Sequence, residues 1–202
     1  GAAMRVAPAA LLALGNMDLV VSLARQTAVI THSHELGVEG AVLQACAVSL
    51  ALGHDPAAAI DPGEFLHRLR SCVDTPVLQT KLERVEQLLE ANEEAGLEAV
   101  IGRLGHGIEA VESVPTAIYA FLRRPFSFRE VVTYAISLGG DTDTIACMAG
   151  ALAGAHLGRE AIPAPWAEGV EDAAVMIDLA DSLLSLASGG RFGSGGEDGA
   201  TG

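Results

Sequence analysis

The chain has 202 residues, enough for one domain with a sizeable buried core. Its formal charge of -14 excludes general nucleic-acid binding, which needs basic surface to neutralise phosphate, so an anionic ligand would depend on a metal, a helix N-terminus or a few placed cations. Half of it is hydrophobic but only 4% is aromatic, and runs of alternating β-branched residues are scarce, so the expected class is all-α.

Asp18 is a candidate N-cap for a helix over residues 19–31. A second helix is expected over residues 35–52, with Val38, Ala41, Val42, Ala45 and Val48 on its face and Gly53 as its stop. Residues 54–62 read as a loop. Thr75-Pro76 reads as an N-cap followed by proline at the first helical position. The helix after it carries Leu78, Leu82, Val85 and Leu89 opposite a charged face. Gly105 and Gly107 flank His106 and open a helix over residues 108–122. Pro115 should kink that helix or mark its true start. Arg123-Arg124 fits a helix end, where cations are favoured. Ser127 and Glu130 fit a capping box for a helix reaching about Leu138. Next comes a helix from about Thr144. Its Ala146, Gly150 and Gly154 leave one side without bulk, so it is expected to be central and buried. Pro165 and Trp166 start the last expected helix, with Val170, Ala174, Ile177 and Leu184 on its face. Two units follow: a domain over 1–187 and a disordered Gly/Ser-rich tail over 188–202. The three cysteines, Cys46, Cys72 and Cys147, show neither a disulfide framework nor zinc spacing. Each is expected to be a small buried hydrophobe in a reducing compartment. The apolar stretch over residues 145–157 is too short to span a bilayer, and no signal peptide is visible. An intracellular, cytoplasmic protein without membrane contact is expected, with nucleus or mitochondrion as alternatives if the source is eukaryotic.

The most informative segment is Gly139-Gly140-Asp141-Thr142-Asp143-Thr144. Two carboxylates and two hydroxyls in four residues are hard oxygen donors suited to Mg²⁺, Ca²⁺ or Mn²⁺. Residues i and i+2 of a helix point about 200° apart, so Asp141 and Asp143 converge only where the backbone turns. The two glycines permit that turn by reaching positive φ. The competing reading is that Asp141 or Thr142 simply caps the following helix, which needs one such residue where this segment offers four. Two octahedral Mg²⁺ ions need about twelve ligand positions, more than Asp141, Asp143 and Thr144 supply, and no second acidic cluster of comparable quality is visible.

Other candidates are weaker. His32 and His34 lie in a helix–helix junction, where they could hold an anion or a metal. Alternatively one caps carbonyls at a helix C-terminus and the other is solvated. His106 between two glycines has the same two readings. Glu109 and Glu112, three apart, are either a paired acidic site or a solvated face.

In combination these motifs resemble the ADP-ribosylhydrolase (ADP-ribosylglycohydrolase) family. Leu138-Gly139-Gly140-Asp141-Thr142-Asp143-Thr144-Ile145-Ala146 resembles its C-terminal metal motif. The run from Glu112-Ser113-Val114-Pro115-Thr116 to Leu122 resembles the helix that precedes the motif. Thr31-His32-Ser33-His34 and Gly40-Ala41-Val42-Leu43-Gln44-Ala45 match another family segment, and Gly1 to Arg5 looks like the end of the family's Gly-rich substrate loop. The resemblance covers residues 1–186. It implies an all-helical bundle around two Mg²⁺ ions, with Asp141, Asp143 and Thr144 as ligands and Thr142 between them without that role. It implies further that Gly1, His32 and the backbone around Ile108 contact ADP-ribose. The implied reaction is Mg-dependent hydrolysis of O-glycosidic ADP-ribose linkages: ADP-ribosyl-serine, poly(ADP-ribose) and related ADP-ribose esters. The implied partner is ADP-ribose or an ADP-ribosylated protein, with no direct nucleic acid, and a monomer when complete. The family also has an N-terminal portion with a Thr-Asp-Asp motif and an acid–base glutamate, which this sequence does not contain. A C-terminal portion, inactive alone, is therefore expected. The alternative is a non-catalytic ADP-ribose-binding or crystallin-like member of the same fold.

Overall fold

The computed structural model describes residues 1–91 and 95–189. Among the described residues the regular structure is helical, in eleven α-helices. They are α1 (Ala7–Leu12), α2 (Met17–Val29), α3 (Glu35–Leu52), α4 (Pro62–Arg70), α5 (Pro76–Glu90), α6 (Leu97–Leu104), α7 (Ala110–Arg123), α8 (Phe128–Ser137), α9 (Thr142–Leu157), α10 (Ala164–Glu168) and α11 (Ala173–Ser188).

Most of these follow from local signals. α5 starts at Pro76 after Thr75 in extended backbone, although the Thr75 side chain makes no capping bond. Its buried face is Leu78, Leu82, Val85 and Leu88; Leu89, expected there, is only partly buried. Ser127 caps α8 by accepting from the Glu130 amide at 3.3 Å. α7 ends at Arg123, as the arginine pair suggests, and the Arg123 guanidinium lies over the Tyr134 ring at 5.4 Å.

Several expectations are corrected. The cap of α2 is Asn16, whose side chain accepts from the Leu19 amide at 3.1 Å; Asp18 lies inside the first turn, facing the positive end of the helix dipole. α4 is an additional helix. Asp61 accepts from the Gly63 and Glu64 amides, Pro62 follows, and three basic residues fill the last turn. Its buried apolar side chains, Phe65, Leu66 and Leu69, are too few for a visible period. α6 was likewise not anticipated; it buries Val100 and Leu104 and stops at Gly105, φ +86°. Pro115 lies inside α7 rather than at its start. α9 begins at Thr142, two residues before the expected Thr144. The single last helix is two, because the backbone breaks after Gly169. Val170, expected on a buried face, is exposed in the break. Cys46 and Cys72 are buried, but Cys147 is exposed on α9. Ser188, expected in a disordered tail, ends α11 and Gly189 caps it; residues 190–202 of that tail lie outside the described residues.

The core is built on α3, α7 and α9. Every residue of α3 from 38 to 51 is buried. This helix is long and apolar enough to cross a membrane, but 78% of it is covered by its own fold. Close approach depends on small residues. A Cβ on Gly40 would come within 2.5 Å of the Ala110 Cβ, so α3 and α7 touch there almost backbone to backbone. Gly150 and Gly154 of α9 receive Phe128 and Val132 of α8, which is the partner that the bulk-free side of α9 called for. Two buried polar side chains bond across helices: Glu39 pairs with Arg25 of α2, and the Gln44 amide nitrogen of α3 donates to the Met148 carbonyl of α9 at 3.1 Å.

Candidate functional site

The acidic motif lies where α8 hands over to α9. Gly139 and Gly140 both take positive φ, +71° and +65°. A Cβ on Gly140 would sit 2.1 Å from the His106 carbonyl oxygen, so a side chain at 140 is excluded by space as well as by φ. The turn is held from outside. The Asp141 amide donates to the His106 carbonyl at 2.8 Å, and the His106 ring Nδ1 bonds the Leu138 carbonyl at 2.9 Å. His106 therefore does bond a carbonyl at a helix C-terminus, that of the α8 C-cap Leu138, and through its own carbonyl it also braces the motif.

Asp141 occupies the N-cap position of α9, but its side chain caps none of the helix amides. It lies instead beside the Asp143 carboxylate, to which it can donate only when it holds a proton. Donation from Asp141 would hold the Asp143 carboxyl below the usual carboxylate range, with the Thr144 and Asp143 amides adding to the effect. The turn thus overcomes the divergence expected of i and i+2. Thr144 points the other way, its hydroxyl donating to the Met4 sulfur at 3.4 Å. This donor set suits a hard cation. Two converging carboxylates repel each other when both are ionised, and a divalent ion removes that repulsion. It is also small: among the described residues no group of three or more His, Cys, Asp or Glu side chains converges to hold a metal.

Beside Thr144 opens a cavity of about 420 Å³. Gly1, His32, Ile108 and Thr144 all line it, together with His34, Glu109 and Met148 among others. Residues over a hundred positions apart in sequence thus share one wall. The His32 ring bonds the Thr31 hydroxyl at 2.8 Å and lies against Gly1, where a Cβ would meet its Cε1 at 3.2 Å. Neither histidine caps helix carbonyls: His34 is the N-cap of α3, its Nδ1 accepting from the Leu36 amide. Ile108 stands exposed at the mouth. Asp143 faces the opposite side of α9, onto an apolar groove with Phe128, Cys147 and Trp166. The proposed ligands therefore straddle the start of α9.

The two glutamates separate. Glu109 is the residue before α7 and lines the cavity, whereas Glu112 turns back onto the 105–107 loop, its carboxylate accepting from the Gly107 amide at 2.8 Å. They form no paired acidic site. Sequence reasoning missed Met4 and Met148, which carry no signal beyond being apolar, and the cavity side of Glu109, whose signal was hidden by its spacing from Glu112.

The ADP-ribosylglycohydrolase family model matches residues 1–191. ADP-ribosylhydrolase ARH3 of Bos taurus is 40% identical over 207 residues, covering 91% of this chain and 56% of that protein. The Homo sapiens ARH3 is 39% identical, again over 91% of this chain and 56% of its own length. The Escherichia coli protein YegU is 34% identical over 80% of this chain and 51% of its own. Among solved structures, an ADP-ribosylglycohydrolase-related protein complex superposes with a TM-score of 0.66 at 29% identity, covering 88% of this chain and 57% of that one. The order of motifs also resembles the ADP-ribosylhydrolase 3 branch most, which agrees with relatives of that name. The chain spans little more than half the length of these curated relatives.

Proposed function

The chain belongs to the ADP-ribosylglycohydrolase family, and from that membership we propose that it serves Mg-dependent hydrolysis of O-glycosidic ADP-ribose linkages, in ADP-ribosyl-serine, poly(ADP-ribose) and related ADP-ribose esters. The observation that carries the reading is the meeting of Thr144, from the acidic motif, with Gly1, His32 and Ile108 around one cavity. Asp141 and Asp143, with Thr144 turned to the cavity side of α9, are the metal donors this chain would contribute, with two Mg²⁺ ions expected in the complete assembly. Bound Mg²⁺ would supply Lewis-acid stabilisation of charge developing on the substrate oxygens.

The chain's own residues bind and orient. The His32 ring and the backbone at Gly1 face the space that ADP-ribose would fill, and Ile108 offers apolar surface at its entrance. The cavity is large enough for part of a nucleotide-sized ligand. No residue here is assigned the proton-transfer role. That role falls to a glutamate outside these 202 residues, as do the remaining metal ligands, because the donors converging here are too few for two octahedral ions. Losing an acid–base group typically costs about 10² to 10⁴ in rate. The 202-residue chain alone is accordingly proposed to be nearly inactive.

The test incubates the purified chain with serine-ADP-ribosylated peptide and millimolar Mg²⁺, beside a version carrying the family's N-terminal part. ADP-ribose release by the longer version, abolished by Asp141→Asn or Asp143→Asn, is expected. Equal turnover by the chain alone would overturn the ligand argument. The small donor set favours one alternative, a non-catalytic ADP-ribose-binding or crystallin-like member. ADP-ribose binding by the longer version with no turnover would select it.

A further inference from the structure

The half-buried carboxylate of Glu112 turns away from the cavity. It lies in the space that side chains at 105 and 107 would occupy. A Cβ on Gly105 would fall 2.4 Å from its Cδ, and one on Gly107 would fall 2.8 Å from its Oε2. From there Oε2 takes the Gly107 amide at 2.8 Å. One helical turn further along α7, and so on the same face, the Thr116 hydroxyl donates to the Gly105 carbonyl at 2.8 Å. Two side chains of α7 thus clamp one short loop. The residue between the clamped positions is His106, whose carbonyl receives the Asp141 amide and whose ring bonds the Leu138 carbonyl. The loop in turn leads into Ile108 and Glu109 at the cavity. Lys81 stands behind this arrangement, its ammonium donating to the Leu104 carbonyl. Burial lowers the Lys81 pKa, while the nearby Glu112 charge works against that shift.

We propose that Glu112 is a positioning residue for the site: through Gly107 and His106 it fixes the turn that aims Asp141 and Asp143 at a divalent cation. The proposal rests on the reading of those aspartates as metal ligands. Its physical basis is that Asp141 and Asp143 converge only while the 139–140 turn is held. The turn's external bonds all run to His106, on a loop that has two glycines and little stiffness of its own. A charged acceptor on a backbone amide is a stronger tie than a neutral one, so the half-buried carboxylate suits this task better than an amide.

The experiment compares the chain with its Glu112→Ala and Glu112→Gln variants by amide hydrogen exchange and Mg²⁺ titration, both followed by NMR. Exchange at the Asp141 amide, with α3 amides such as Val42 and Cys46 as the reading of global stability, is expected to quicken about tenfold or more in the alanine variant and less in the glutamine variant. The α3 amides should not follow. Mg²⁺ affinity, read at Asp141 and Asp143, is expected to fall about tenfold in the alanine variant, the low end for partners outside the ligand shell. Unchanged Asp141 exchange in both variants overturns the proposal. So does faster exchange in α3 in step with Asp141, or faster Asp141 exchange with Mg²⁺ affinity intact. If the alanine variant does not fold, the glutamine variant decides on the same readings. No Mg²⁺ response even from a version carrying the family's N-terminal part defeats the metal reading itself, while Asp141 exchange still decides whether Glu112 holds the turn.

Discussion

Helices α3 and α11 are similar in length and both rich in apolar residues, yet every residue of α3 from 38 to 51 is buried and α11 has no buried residue. The difference lies in what packs against them. α3 carries Gly40, Ala41, Ala45, Ala47 and Ala51, and these small side chains let α1, α2, α7 and α9 close in around it. α11 packs chiefly against α1, leaving Val175, Met176, Leu179, Leu184 and Leu186 about half exposed or more. Apolar composition makes burial favourable, but neighbours close enough to share the surface decide whether it happens.

The largest expected effect lies in the core. Phe121 of α7 is fully buried against Phe65 and His156. Phe121→Ala should cost about 3–5 kcal/mol in urea unfolding, from lost transfer energy and the cavity left behind. A cost below about 1 kcal/mol would mean that the α3–α7–α9 centre is not the close-packed region described.

Next comes overpacking. Gly40→Ala places a methyl 2.5 Å from the Ala110 Cβ, which sits rigidly on its backbone and cannot swing away. A loss of about 1–3 kcal/mol is expected. A neutral or stabilising result would show that α3 and α7 separate at little cost.

A smaller effect depends on pH. His156 of α9 is 3% exposed, and burial lowers its pKa from the usual 6.5, with the nearby Ala51 and His54 backbone working weakly against that shift. The unfolded chain therefore binds this proton more readily. Stability should be unaffected well above pH 6.5, should fall as pH drops below 6.5, and should level off below the lowered folded value. Midpoints of urea unfolding between pH 8 and 5 check this, and His156→Phe should flatten that part of the curve. An equal slope in the variant would assign the dependence to other groups.

The smallest effect is expected on α11. Leu179, 64% exposed, should tolerate Leu179→Ser within about 0.5 kcal/mol. A loss near that of Phe121→Ala would mean that α11 is covered in solution, and would remove the contrast between the two helices.

How far the sequence could be read follows the same division. α3, α5, α8 and the central α9 were legible because a cap, a proline or a stop glycine coincided with a clear apolar face. α4 and α6 escaped because nine and eight residues hold too few apolar side chains to show a period. The break after Gly169 escaped because one apolar pattern runs across it. At the site, Asp141, Asp143 and Thr144 stood out by their own chemistry. Glu112 did not, since an acidic residue on a helix of so acidic a chain looks solvated until the loop it clamps is seen.

By itself the sequence determined the helical class, the Ser127 cap and the Gly53 stop, and the glycine turn that carries the acidic motif. These depend on backbone preferences and side-chain bonds within a few residues. Only the tertiary structure decided that Gly1, His32, Ile108 and Thr144 share one cavity, that Asp141 lies beside Asp143 rather than capping its helix, and that Glu109 and Glu112 part company. The first rests on contacts between segments far apart in the chain, the second on a turn that distant His106 holds, and the third on how α7 folds back onto the 105–107 loop. No local preference encodes which of several apolar faces will meet; that is set by which small residues let two backbones approach, as Gly40 does for α7 and Gly140 for His106.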